Sequence, residues 1–150
     1  MTLFPKLDII KPTEQVGFMF NISAKSQYGL RAMTYLARQD SISPLSKISK
    51  AEGISFDYLE KIVSKLEKAG LLESKKGIQG GYSLSKNPSK IKIGEIISAL
   101  EGNKHLVKCV GEKGCLCPRE RGCFAKPLWE KLYKSLNNTL NSITLADLIK

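Results

Sequence analysis

Four cysteines, Cys109, Cys115, Cys117 and Cys123, fall within fifteen residues, and the chain has no others. They lie in CVGEKGCLCPRERGC, a stretch rich in glycine, lysine and arginine that reads as a loop. Thiolates gathered on a loop serve as soft ligands or redox groups, whereas cysteines that pack a core are spread along apolar faces. Five residues separate Cys109 from Cys115, and five separate Cys117 from Cys123. Structural zinc usually takes ligand pairs two to four residues apart, roughly the C-x2-C to C-x4-C pattern. The one close pair here, Cys115-Leu116-Cys117, is tighter than that. Iron–sulfur clusters tolerate wider and less regular thiolate spacing. The spacing therefore favours an iron–sulfur cluster, with zinc as the alternative and a metal-free dithiol third. His105, the single histidine, reads as a surface or hinge residue rather than a ligand.

The rest of the chain is a DNA reader by pattern. The formal net charge is +10, and the span from Ser43 to Lys92 holds 10 lysines against 5 acids, half of that excess. Phosphate binding is the commonest use of such a bias. No apolar run is long enough to cross a membrane. The first residues, MTLFPKLDIIKPTEQ, are too interrupted by charge and proline for a secretory segment. The expected location is the cytoplasm, where thiols stay reduced. One histidine, no nucleophile–base pair and no phosphate-binding loop argue against an enzyme.

Residues 1–21 read as a flexible N-terminal extension, with Met19 a plausible alternative start. Helical signals begin at Ser23, a cap, with Tyr28, Ala32, Met33, Tyr35 and Leu36 on one broad face. Ser43-Pro44 predicts the next helix start, with serine as cap and proline at the first helical position. Leu45, Ile48 and Ala51 should line its inner face, and Gly53 should end it. Ser55 caps a third helix in which Leu59, Ile62, Val63 and Leu66 recur until Gly70. Two helices joined by Glu52-Gly53-Ile54-Ser55 are a helix-turn-helix signature. Leu71-Leu72 and Tyr82-Ser83-Leu84 then predict a hairpin around a Gly- and Lys-bearing turn, and Ile93 to Leu100 a further short helix.

The fold class is thus mainly α with a small β-hairpin wing. A winged helix-turn-helix domain over 22–103 precedes a cysteine-rich cluster-binding loop over 104–125, and 126–150 form a dimerisation helix and tail. The stripe Leu128, Trp129, Leu132, Tyr133, Leu136 and Leu140 needs a partner, and a second copy is favoured because helix-turn-helix proteins read paired half-sites. The third helix should enter the major groove of double-stranded DNA, with Ser55, Phe56, Asp57 and Tyr58 at its N-terminal end and Glu60, Lys61, Ser64 and Lys65 following. Ser55, Tyr58, Lys61 and Lys65 can meet phosphates or base edges, and Glu60 can accept from a cytosine amine. Asp57 supports the helix N-terminus. Lys75, Lys76 and Gly80 mark the wing, where lysines reach phosphates and glycine lets the backbone approach.

These stretches together resemble the IscR/NsrR/RirA-type bacterial winged-helix regulators, from about Ile22 to Leu148. The landmarks are Ser26-Gln27-Tyr28-Gly29-Leu30-Arg31-Ala32-Met33, Ile54-Ser55 with Tyr58-Leu59-Glu60, Gly80-Gly81-Tyr82-Ser83-Leu84, Ile93-Gly94-Glu95-Ile96-Ile97, the cysteine loop and Leu128-Trp129. The resemblance implies a homodimer on a palindromic operator that senses iron–sulfur status, nitric oxide or redox state through a 2Fe–2S or 4Fe–4S cluster. It places Cys109, Cys115 and Cys123 on the family's ligand positions. The family's fourth ligand is replaced: relatives have a histidine where this chain has Lys126, or an aspartate where it has Gln27. Cys117 is the available substitute, as a fourth or exchangeable ligand. Lys76 stands where relatives carry a wing arginine, and Glu60 matches an acid proposed to separate operator classes. Cluster-free relatives that respond through a partner enzyme define a further alternative.

Overall fold

The computed structural model describes residues 22–102, 107, 109, 110, 117–119 and 121–150. The N-terminal extension, His105 and Cys115 lie outside those residues. Helix α1 (Ala24–Ala37) starts where Ser23 caps it, its side chain accepting from the Ser26 amide at 3.3 Å. Helix α2 (Leu45–Glu52) ends at Gly53 with φ 62, a left-handed conformation that favours glycine. Helix α3 (Phe56–Lys68) buries Leu59, Ile62, Val63 and Leu66. Strands β1 (Leu72–Lys75) and β2 (Gly81–Leu84) pair antiparallel, with Leu72 opposite Leu84 and Lys75 opposite Gly81. Helix α4 (Ile93–Glu101) follows a 3-10 turn at Pro88–Lys90, and α5 (Lys126–Ser142) follows the cysteine segment. This is the expected mainly helical fold with a hairpin wing.

One apolar core joins these elements. Met33, Ile48, Leu59, Ile62, Leu66, Ile91 and Ile96 are essentially inaccessible to solvent, and α1 packs against α3 and α4. A side chain at Gly29 would collide with Leu100, so glycine there permits the close approach of α1 to α4. Three local expectations are corrected. Ser43 does not cap α2: Pro44 takes that position, and Ser43 is a buried residue paired with Tyr82 through two backbone hydrogen bonds of 3.0 and 2.9 Å. The physical reason is that a residue before proline is pushed toward extended backbone, which suits a bridge to β2. Ala51 is exposed, because α2 is only eight residues long and its contact face ends with Ile48. The strand pair also runs further than the apolar residues, taking in Ser74 and Lys75, since backbone pairing continues where side chains have turned polar.

Gly81 sits where β2 crosses the Ser43 backbone. Its φ is 153, and a Cβ there would collide with the Ser43 carbonyl. We expect Gly81→Ala to cost about 2 kcal/mol in urea unfolding through combined strain and overlap. A change within a few tenths would show that the wing does not need this contact.

The tail after α5 returns to the core. Leu145 is 0% exposed, its amide donates to the Ile91 carbonyl at 2.8 Å, and the Ile93 amide donates to the Ile143 carbonyl at 3.0 Å. Of Ile143, Leu145 and Leu148 in this tail, only Leu145 is fully buried. Replacing it with alanine should lower stability by about 3 kcal/mol, the usual cost of truncating a buried leucine. A 3-10 turn, Leu145–Leu148, holds it in place. There the Asp147 carboxylate accepts from Lys150, from the Thr144 hydroxyl and from the Thr144 amide, which holds its carboxyl well below the usual range. A lowered carboxylate pKa stabilises above the unfolded value and is lost as pH falls through the folded one. Asp147→Asn should therefore melt slightly below wild type at neutral pH and converge with it in strong acid. The site is exposed, so the difference is small.

Candidate nucleic-acid interface and cysteine segment

The turn between α2 and α3 is held by short-range bonds that fix the angle of the second helix. The Ile54 amide donates to the Ser49 carbonyl at 3.1 Å, and the Ser49 hydroxyl donates to the Ile54 carbonyl at 2.6 Å. Ser55 takes the N-cap position of α3 without a side-chain capping bond, leaving its hydroxyl for other partners. Asp57 lies in the first turn, and Lys65 and Lys68 in the last, matching the helix dipole at both ends. Ser55, Glu60, Lys61 and Lys65 are exposed. Tyr58 is half-buried, its ring edge-on to Tyr28 with centroids 5.9 Å apart.

The wing carries Lys75 and Lys76 outward on an exposed hairpin. Gly77, with φ 113, turns the chain, and the Gly80 amide donates back to the Gly77 carbonyl at 3.0 Å. A side chain at Gly80 would collide with the Lys75 carbonyl, so the tip closes only with glycine. Ile78 projects fully into solvent there. Tyr82, partly buried at the base of the wing, has its hydroxyl pKa raised by burial and by the nearby carboxylates of Glu67 and Glu60.

Two ties between elements were not legible in the sequence, because periodicity reports faces and not cross-element pairs. Arg31 on α1 pairs with the Glu52 carboxylate at 3.0 Å, donates to the Glu52 backbone carbonyl, and lies 5.7 Å over the Tyr28 ring. It thereby connects α1 to the helix-turn-helix corner and, through Tyr28, to Tyr58 on α3. At the N-terminal end of α1, the hydroxyls of Ser23 and Ser26 both donate to the carboxylate of Glu101, the last residue of α4. Ser26 is completely buried. The cysteine segment begins just beyond that tie.

Within the segment, Val107 and Val110 form an isolated bridge around Cys109, with the Val110 amide donating to the Val107 carbonyl at 3.2 Å. Cys109, Cys117 and Cys123 are half-buried thiols outside any disulfide. Among the described residues, no three histidine, cysteine or acidic side chains are gathered as a metal site, and Cys115 lies outside them. The donor set still fits a thiophilic group by its chemistry: reduced, partly sheltered thiols on one short segment. Lys126, at the position the resemblance gives to a histidine ligand, begins α5 and pairs loosely with Glu130 at 3.8 Å. Gln27 donates to the Ile22 carbonyl at 2.7 Å.

Helix α5 has 17 residues and none is buried. Leu128 and Leu136 are exposed, Trp129 and Leu132 half-buried, and Phe124 just before the helix is wholly exposed. No helix among the described residues is long and apolar enough to cross a membrane.

A winged helix-turn-helix with lysines on its reading helix and wing and a long appended helix defines a DNA-binding transcriptional regulator, and the comparisons agree. Residues 22–150 match the Rrf2 family, described as iron-dependent transcriptional regulators, and the chain belongs to that family. The chain is 38% identical over 130 residues to the HTH-type transcriptional regulator IscR of Yersinia pseudotuberculosis, covering 85% of this chain and 78% of that one. Among solved structures it superposes on T. potens IscR with a TM-score of 0.71 at 37% identity, covering 87% of each chain. It matches CymR, the global cysteine regulator of B. subtilis, equally well: TM-score 0.71, 34% identity, 87% of this chain and 97% of that one. These relatives are regulators and not enzymes, as expected from the sequence.

Proposed function

We propose that the protein is a homodimeric transcriptional regulator that reads a palindromic operator and adjusts that reading to an iron–sulfur cluster on its cysteine segment. The observation that carries this reading is the place of the thiols. Cys109, Cys117 and Cys123 are inserted between α4, which is tied to the reading domain, and α5, whose Leu128 and Leu136 are exposed. Cys109, Cys115 and Cys123 would hold the cluster, with Cys117 as the fourth or exchangeable ligand. A cluster held by these thiols would supply a redox- and gas-sensitive centre. The chain's own residues then carry the effect. Glu101 holds the start of α1 through Ser23 and Ser26, and Arg31 and Tyr28 carry α1's position to Glu52 and Tyr58. A shift of α1 would thus re-aim α3 within its half-site.

On the DNA, Ser55, Tyr58, Glu60, Lys61 and Lys65 would face the major groove, and Lys75, Lys76 and Gly80 the backbone beside it. Lys76→Ala should weaken operator and random DNA alike and reduce the slope of log K against log salt by about one per subunit. An unchanged slope would remove Lys76 from the phosphate contacts. The whole reading is tested by selecting an operator from randomised DNA, then measuring its affinity for the full-length protein with and without reconstituted cluster. A several-fold difference, absent in a Cys109→Ala variant, supports it; equal affinities in both states reject it.

The likeness to CymR favours a second reading in which the thiols respond by oxidation, or a partner protein supplies the signal, without a cluster. In that case zinc or no metal accompanies the purified protein, and affinity changes with thiol oxidants alone.

A further inference from the structure

Phe56 is the first residue of α3, and it is 47% exposed. The helix start does not need it: Ile54 and Leu59, on either side, are 4% and 0% exposed and sit in the core, while Phe56 does not join that cluster. Tyr58, the other aromatic of the first turn, packs on Tyr28. Phe56 is therefore an aromatic ring left outside, among the exposed polar residues Ser55, Asp57, Glu60 and Lys61. Single exposed apolar side chains are ordinary on protein surfaces. This one lies at the N-terminal end of the reading helix, the part that meets base edges in helix-turn-helix complexes.

The major groove offers such a ring one apolar partner. Every base presents hydrogen-bonding groups there, but only thymine adds a methyl. We propose that Phe56 is a specificity-determining residue whose ring contacts the 5-methyl group of a thymine in each half-site. Glu60, one turn further along and on the same helix face, then accepts from the amine of a neighbouring cytosine or adenine. The pair reads an apolar group beside a donor, a combination that guanine satisfies at neither position. The inference rests on α3 entering the major groove.

The test uses DNA chemistry, so wild-type protein suffices for its first arm. An operator is selected from randomised duplex with the full-length protein, and each thymine is replaced in turn by deoxyuridine, which removes only the methyl. At least one thymine per half-site should show about fourfold weaker binding on replacement, the equivalent of one lost methyl contact. In Phe56→Ala the same replacement should have no effect, and Phe56→Leu, which keeps an apolar side chain, should retain part of it. Binding indifferent to deoxyuridine at every thymine overturns the proposal while leaving major-groove reading intact. So does sensitivity that persists undiminished in both variants. Failure to bind any duplex overturns this proposal and the DNA-reading surface together.

Discussion

The double substitution Leu128→Glu and Leu136→Glu should yield a folded monomer that no longer recognises a palindromic operator. Both side chains are about half exposed, 53% and 47%, on a helix that buries none of its 17 residues. Each leucine has roughly half its surface left to bury, about 1 kcal/mol of apolar transfer. Twofold symmetry counts each position twice, so two substitutions remove about 4 kcal/mol, close to a thousandfold in dissociation constant. Bringing four carboxylates into one seam adds to that. Trp129 is a poorer site for the experiment: it is half-buried within one chain, so a charge there would disturb folding and association together. Sedimentation should show one chain mass with an unchanged helical spectrum. Dimers persisting at micromolar concentration would mean that another surface pairs the subunits.

The second large effect concerns the thiols. Cys109→Ala and Cys123→Ala should each sharply reduce bound iron after anaerobic purification, because each removes a thiolate from the proposed ligand set. Cys117→Ala divides the two ligand assignments. Loss of iron makes Cys117 the fourth ligand, and retention makes it exchangeable or spare. In each iron-free variant the operator affinity should equal that of the cluster-free wild type, since the signal has been removed and the reading surface has not. Iron bound at the wild-type level in Cys109→Ala and Cys123→Ala would move the site elsewhere. Glu101→Gln offers a finer probe of coupling. It keeps the cysteines but weakens a charge-assisted tie to Ser23 and Ser26, so the cluster should remain while its effect on DNA affinity shrinks.

Helices α2 and α3 of the reading domain were legible because each had both a period and a stop. The α3 run Leu59, Ile62, Val63, Leu66 is fully buried as its spacing requires, and Gly53 and Gly70 turn the chain with positive φ where the sequence ends the helices. Ser43 misled because a serine before proline is an equally good cap and bridge residue. Only the position of β2, some forty residues later, decides between them. Ala51 misled for a related reason: a short helix continues its apolar spacing past the end of its contact face. The Arg31–Glu52 and Glu101–Ser26 ties were invisible because both depend on how α1, α2 and α4 cross. The cysteines were conspicuous as chemistry from their spacing alone. What they bind depends on a fourth ligand that spacing does not specify.

The central claim, a cluster held by the cysteine segment, is tested most directly by an absorption spectrum with iron and sulfide analysis on anaerobically purified full-length protein. Visible bands that bleach with oxygen or nitric oxide are expected, with iron and sulfide in near-equal amounts. Colourless protein carrying zinc, even after anaerobic reconstitution with iron and sulfide, would contradict it.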